Sequence, residues 1–232
     1  MSPHAAPQKQ GRAKKSLGQN FLMHAQIAER IVLAAGVSKS DVVLEIGPGT
    51  GMLTRALLSQ AKKVVAIEAD RELIPVLEET FAKEIADGSL SLIHEDVRRF
   101  DPSVLKEPYR LVANIPYYIT GEIFRQFLTA THKPQSMTLL VQKEVAVRIA
   151  RSKKESLLSL SVKAFGTPKI AFDVPRGAFR PAPNVDSAVL SILDIHDTDF
   201  VGGEKRFFEI LHAGFAHKRK QLAKNLESIA SP

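Results

Sequence analysis

Apolar positions along this chain switch repeatedly between short unbroken runs and a helical spacing of every third or fourth residue. In MHAQIAERIVLAAG, residues 23–36, Ile27, Ile31 and Ala34 share one helical face, and Gly36 supplies the residue that commonly ends a helix. The run DVVLEIG, 41–47, then reads as a buried strand, followed by a glycine-rich turn and the helical stretch MLTRALLSQA, 52–61. The same beat returns in KVVAIEAD and RELIPVLEETFAKEI, where Leu73, Leu77 and Phe81 fall on one face and Pro75 is an awkward early-helix residue. LSLIHED, 90–96, gives a third strand. YRLVANI gives a fourth, with the helix GEIFRQFLTA behind it and Thr120 as the expected N-cap. SMTLLVQ and KEVAVRIAR complete a fifth beat.

Repeated strand-helix beats of this kind predict a parallel sheet covered on both faces and wound with right-handed crossovers. After that beat the rhythm changes. KIAFDVPRGAF and SAVLSILDI read as strands with no helix between them, which predicts an antiparallel hairpin closing the sheet, and the tail 204–228 returns to helix. The expected organisation is a mobile basic arm at 1–15, a domain over 16–200 and a helical segment over 201–232.

Composition narrows the class. The 232 residues carry 32 Lys and Arg against 25 Asp and Glu, a net charge of +7 that points to a polyanionic partner. With no cysteine, disulfides, thiolate metal sites and cysteine nucleophiles are excluded. Neither a membrane-spanning run nor a secretory signal is evident, so a cytoplasmic location is expected. The histidines, among them His94 and His132, have no metal-ligand spacing, and no metal is expected.

In an open parallel sheet, ligands bind beyond the carboxyl ends of the strands. After the first strand, EIGPGTG places Gly47, Gly49 and Gly51 at alternate positions, so that backbone can approach a ligand closely. Met52 stands where the dinucleotide fingerprint needs glycine, and no Gly-Lys-Ser or Gly-Lys-Thr forms a phosphate loop. The remaining pattern, E-x-G-x-G-x-G, is that of methyltransferases using S-adenosylmethionine. The next two strands end in Glu68, placed to accept hydrogen bonds from both ribose hydroxyls, and Asp96, placed to accept one from an adenine amino group.

The fourth strand delivers NIPYYIT, 114–120. An adenine amino nitrogen is a poor nucleophile because its lone pair is delocalised into the ring. Acceptance of its two hydrogens by the Asn114 side-chain oxygen and a backbone carbonyl at Ile115 or Pro116 would drive it toward a tetrahedral form. Pro116 fixes the backbone there, and Tyr117 offers a face on which an extruded base can stack. Alternatively, Tyr117 and Tyr118 are core aromatics.

Six ordered segments, KKSLGQNFL, EIGPGTGMLT, NIPYYIT, VQKEVAVRI, FRPAPNVDSAVL and FAHKRKQLAKNL, closely resemble the ribosomal RNA adenine N6,N6-dimethyltransferases between about residues 14 and 226. The resemblance implies a Rossmann-like class I S-adenosylmethionine-dependent α/β methyltransferase fold with a mostly parallel seven-stranded sheet and a short C-terminal helical segment. It implies Asn20 and Leu22 in a segment folded over the cofactor, with Gly47, Gly49, Glu68, Asp96 and Asn114 as further cofactor contacts. It assigns Asn114, Pro116 and Tyr117 to catalysis, and Ile115, Tyr117 and Phe179 to the target base, with Phe179 as the second aromatic wall. Two departures stand out: KKESLLSLSV lacks the family's usual Tyr-Gly, and the chain is short relative to members that continue into a small helical domain. The implied activity is dimethylation of two adjacent adenosines near the 3′ end of small-subunit rRNA, by a monomer whose partners are that rRNA and an assembling small subunit. The alternatives are an erythromycin-resistance type of large-subunit rRNA methyltransferase and a non-catalytic assembly factor.

Overall fold

A computed structural model describes Lys14, residues 17–217 and residues 220–229. Apart from Lys14, the expected basic arm lies outside the described residues, as do Lys218 and Arg219 of the HKRK run. The elements in chain order are β1 (Phe21–Leu22), α1 (Ala25–Ala34), β2 (Val42–Ile46), α2 (Met52–Leu58), β3 (Lys63–Glu68), α3 (Ile74–Thr80), α4 (Ala82–Ala86) and β4 (Leu90–His94). These are followed by β5 (Tyr109–Asn114), α5 (Thr120–Leu128), β6 (Ser136–Gln142), α6 (Lys143–Ala150), α7 (Leu157–Lys163) and β7 (Thr167–Val174). The last are β8 (Phe179–Arg180), β9 (Ser187–Leu193), α8 (Gly203–Phe215) and α9 (Leu222–Leu226).

Seven strands form one sheet in the order β4-β3-β2-β5-β6-β9-β7, while β1 and β8 make a separate antiparallel pair. The first five strands of that order are parallel, and β9 enters antiparallel between β6 and β7. The expected closing hairpin is therefore present, with its second strand as the inner one. Every residue of β2 is buried, as a central parallel strand covered on both faces requires. Its alternate side chains feed two cores. Val42, Leu44 and Ile46 pack with Ile123, Phe127, Ile149 and Val162 from α5, α6 and α7. Val43 packs with Ile31, Leu57 and Leu77 from α1, α2 and α3. Each such side chain taken out of water contributes about 1.5–3 kcal/mol, which is why period-two alternation is strictly enforced here. Phe207 and Phe208 pack the tail helix α8 against the first core.

The structure departs from the sequence expectation locally. The helix expected over 71–85 is two helices, α3 and α4, because Phe81 leaves helical geometry at φ −118° and ψ 28°. Its ring is buried beside Gly51, so tertiary packing overrides helical propensity. Pro75 sits in the first turn of α3, where a missing N–H costs nothing. Thr120 is the first helical residue of α5, and its hydroxyl donates back to the Tyr117 carbonyl at 2.9 Å. Helix α7, which the change of rhythm did not announce, begins with a Ser156–Ser159 capping box.

Gly51 carries the clearest steric requirement in this fold. It adopts φ +83°, and an added Cβ would lie 2.4 Å from the Phe81 ring. Gly51→Ala is expected to destabilise the protein by about 2–4 kcal/mol, the left-handed strain and the overlap acting together. Denaturant unfolding of the two proteins measures this difference.

Candidate active site

Parallel pairing brings the strand ends to one level. Ile46 of β2 is in register with Ile67 of β3 and with Ala113 of β5, so the next residues, Gly47, Glu68 and Asn114, form a row at the carboxyl edge. One cavity is lined by these three, by Gly49 and Asp96, by Ile115, Pro116 and Tyr117, and by the segment from Leu17 to Phe21. Of the residues expected at the site, the cavity thus gathers Asn20, Gly47, Gly49, Glu68, Asp96, Asn114, Ile115, Pro116 and Tyr117.

The three glycines of the turn have different reasons to be glycine. Gly47 has φ +66°, and among the described residues only the Asn114 carbonyl, 3.9 Å away, lies near where its Cβ would be. A Cβ on Gly49 would come within 2.9 Å of the Phe21 ring. Gly51, expected to share in approaching a ligand, instead makes room for Phe81 beneath the turn.

Glu68 is 5% exposed, and both its oxygens accept backbone N–H bonds, from Gly49 at 3.1 Å and from Asp70 at 2.8 Å. Burial pushes its carboxyl above the ordinary value, although these N–H groups oppose the shift. Each oxygen keeps acceptor capacity. Asp96 follows β4 and caps a short 3-10 turn, with its side chain accepting from the Arg98 N–H at 3.0 Å. The Arg98 guanidinium also donates to both Asp96 oxygens, from Nε at 3.0 Å, and holds that carboxyl below the usual range. Arg98, which lines the cavity, was not singled out in the sequence; an arginine two residues beyond a strand-end acid was the available signal.

Asn114 has a fixed orientation. Its Nδ2 donates to the Asn20 carbonyl at 3.0 Å, and because a carbonyl only accepts, the NH₂ end must face that way. Its Oδ1 accepts no hydrogen bond among the described residues. Tyr117 is half-buried and shares a 2.6 Å hydroxyl contact with Ser187. A second, open cavity shares Gly18, Asn20, Tyr117 and Tyr118 with the first and extends to Gln142, Pro183 and Asn184.

Two expected residues lie elsewhere. Leu22 and Phe179 face each other across the β1–β8 pair, and both are 4% exposed within the second core. Adjacent residues in a strand point to opposite sides. Phe21, rather than Leu22, therefore reaches the cavity, and Phe179 forms no wall of either cavity described.

The family model described as ribosomal RNA adenine dimethylase matches residues 10–232. The chain belongs to this family. A relative from Dehalococcoides mccartyi, named ribosomal RNA small subunit methyltransferase A, is 43% identical over 216 residues, which cover 91% of this chain and 73% of that protein. Its namesake from Oceanobacillus iheyensis is 38% identical, over 92% and 75% of the respective chains. Among solved structures, a dimethyladenosine transferase from Plasmodium falciparum aligns with TM-score 0.75 and 29% identity over 88% of this chain and 74% of that one. The 23S rRNA methyltransferase ErmE aligns with TM-score 0.74 and 26% identity, over 92% and 85%. The fold is thus the Rossmann-like α/β fold of class I methyltransferases, and members of the family use S-adenosylmethionine.

Behind the cavity lies Glu45, 1% exposed on β2, with neither carboxyl oxygen in a well-formed hydrogen bond among the described residues. Burial pushes its carboxyl up to about 8, with Thr54 opposing the shift and the Glu68 charge adding to it. Between the ordinary value of 4.5 and about 8, the unfolded chain has released a proton that the folded chain keeps. Stability is therefore lost as pH rises through that window. Glu45→Gln is expected to match the parent protein near the bottom of the window and exceed it by about 1–3 kcal/mol at the top. Denaturant titrations at several pH values check this.

Proposed function

We propose that this chain transfers methyl groups from S-adenosylmethionine to the N6 amino groups of two adjacent adenosines near the 3′ end of small-subunit rRNA, in the cytoplasm during subunit assembly. The observation that carries this reading is the row Gly47, Glu68 and Asn114, with the Asn114 amide turned so that Oδ1 is its free end. The relatives named small-subunit methyltransferases, at 38–44% identity, favour that target over the large subunit. Residues 16–200 would form the catalytic domain and 201–232 an appended helical segment.

The residues suit the cofactor. Gly47, with no side chain, leaves backbone open to the cavity, and Glu68 is a buried acceptor whose oxygens are only partly used. Glu68 would hold the ribose hydroxyls, and Asp96 would receive the adenine amino group beside its Arg98 contact. When bound, S-adenosylmethionine supplies a methyl group activated by its sulfonium. The chain's own part is positioning and electrostatics. The two cavities meet at Asn20 and Tyr117, so a base entering from the open one reaches the free end of Asn114. Asn114 Oδ1 and a backbone carbonyl at Ile115 or Pro116 accept the amino hydrogens, and the nitrogen lone pair becomes available. Tyr117 supplies a stacking face that its Ser187 contact holds in place. Phe179 supports this site through the core beneath the β1–β8 pair. Among the described residues, no helix is long and apolar enough to cross a membrane.

Asn114→Ala is expected to lower single-turnover methylation roughly 100-fold or more at saturating RNA and cofactor, with RNA affinity little changed. Near-normal turnover by the folded variant would remove Asn114 from the chemistry. Glu68→Ala is expected to weaken cofactor binding by about 1–3 kcal/mol in calorimetry. Mapping methylated adenines on unmodified small and large subunits separates the two rRNA targets.

A further inference from the structure

Asp70 is a carboxylate that the proposed chemistry does not use, although it is 3% exposed and two residues from Glu68. Its Oδ1 accepts from Lys14 Nζ at 2.7 Å and from the Glu72 N–H at 3.0 Å, and its Oδ2 accepts from Gln19 Nε2 at 3.1 Å. The Lys14 N–H donates in turn to Gln19 Oε1 at 2.8 Å, which ties the two donors together. Lys14 Nζ also lies 3.0 Å from the exposed Glu72 carboxylate. On its other side, the Asp70 backbone N–H donates to Glu68 Oε1 at 2.8 Å.

Lys14 and Gln19 belong to the segment that leads into Asn20 and Phe21 and, from Leu17 onward, lines the cavity. Among the described residues, Asp70 holds Lys14 and Gln19 of that segment, Asn114 holds the Asn20 carbonyl, and Phe21 pairs with Arg180. Of these three partners, Asp70 also touches Glu68, the residue expected to receive the ribose. Burial pushes the Asp70 carboxyl up, yet the bonds from Lys14, Glu72 and Gln19 outweigh it and hold the carboxyl below its ordinary value. The Asp70–Lys14 pair therefore stays ionised at neutral pH.

We propose that Asp70 is a positioning residue for the cofactor, fastening the covering segment through Lys14 and Gln19 while its backbone N–H orients the Glu68 carboxylate. This rests on the reading of the cavity as the S-adenosylmethionine site. One residue makes both contacts, so covering the cavity and setting Glu68 are a single event. Release of the cofactor then requires Lys14 and Gln19 to leave Asp70. An ion pair whose lysine is one-third exposed is weakened by salt, so release should accelerate as salt is added.

The test measures S-adenosylmethionine dissociation from the full chain by stopped flow across a salt series, together with amide exchange of residues 17–22 in the ligand-free protein. Lys14→Met, at the accessible end of the cluster, and Asp70→Asn are each expected to speed dissociation and exchange by roughly tenfold. Both should flatten the salt dependence, and Lys14→Arg should restore it. Lys14→Met with parental dissociation and exchange overturns the proposal, even if Asp70→Asn fails to fold. No S-adenosylmethionine binding by the parent chain overturns the functional reading along with it, whereas normal binding with unaltered release overturns this proposal alone.

Discussion

The register of β2 between its two parallel neighbours is the constraint on which the site depends. Ile46, Ile67 and Ala113 stand in one row, and the chain leaves all three strands at the same edge. A one-residue slip of β3 would turn Glu68 toward the first core and put an apolar side chain at the cavity. The slip is opposed by every buried side chain on both faces, because Val64 and Ala66 belong to one core and Val65 and Ile67 to the other. Packing energy spread over the whole sheet is thus what places a few polar groups accurately.

The covering segment relies on a different kind of support. The β1–β8 pair spans two residues on each strand and could not persist alone in water. It is completed by side-chain contacts of long sequence separation: Phe21 against Gly49, Asn114 to the Asn20 carbonyl, and Asp70 to Lys14 and Gln19. These contacts are few, polar in part and close to solvent, the conditions under which a segment opens without unfolding the domain beneath it. Asn114 thus belongs to the row of strand ends and also holds the segment that covers the cavity.

What could be read from the sequence follows the same division. Periodicity and turn chemistry are local, so the strands, the glycine turn and the order of strand-end residues were legible before the structure. Contacts set by distant parts of the chain were not. Phe81 breaks a helix because Gly51 leaves room for its ring. Leu22 and Phe179 turn inward because β1 and β8 meet, a pairing that neither segment's pattern announces. Arg98 reaches Asp96 across a short turn, whereas Asp70 meets Lys14 from a distant part of the chain, and apolar period carries no information on either contact.

Charge separates the two proposed substrates. The chain carries a net +7, yet Glu68, Glu95 and Asp96 line the cavity with Arg98 as the cation among its lining residues. Such a lining favours a cationic ligand and repels phosphate, while the excess of Lys and Arg over the chain as a whole attracts a polyanion. Under the proposed function, RNA drawn by the net positive charge would be opposed at the carboxylates around Glu68. A neutral adenine base would escape that repulsion, and the open cavity, which meets the first at Tyr117, would lead it toward Asn114. The base would then have to leave its own phosphates behind, so under the proposed function the charge of the cavity lining would favour extrusion of the nucleotide.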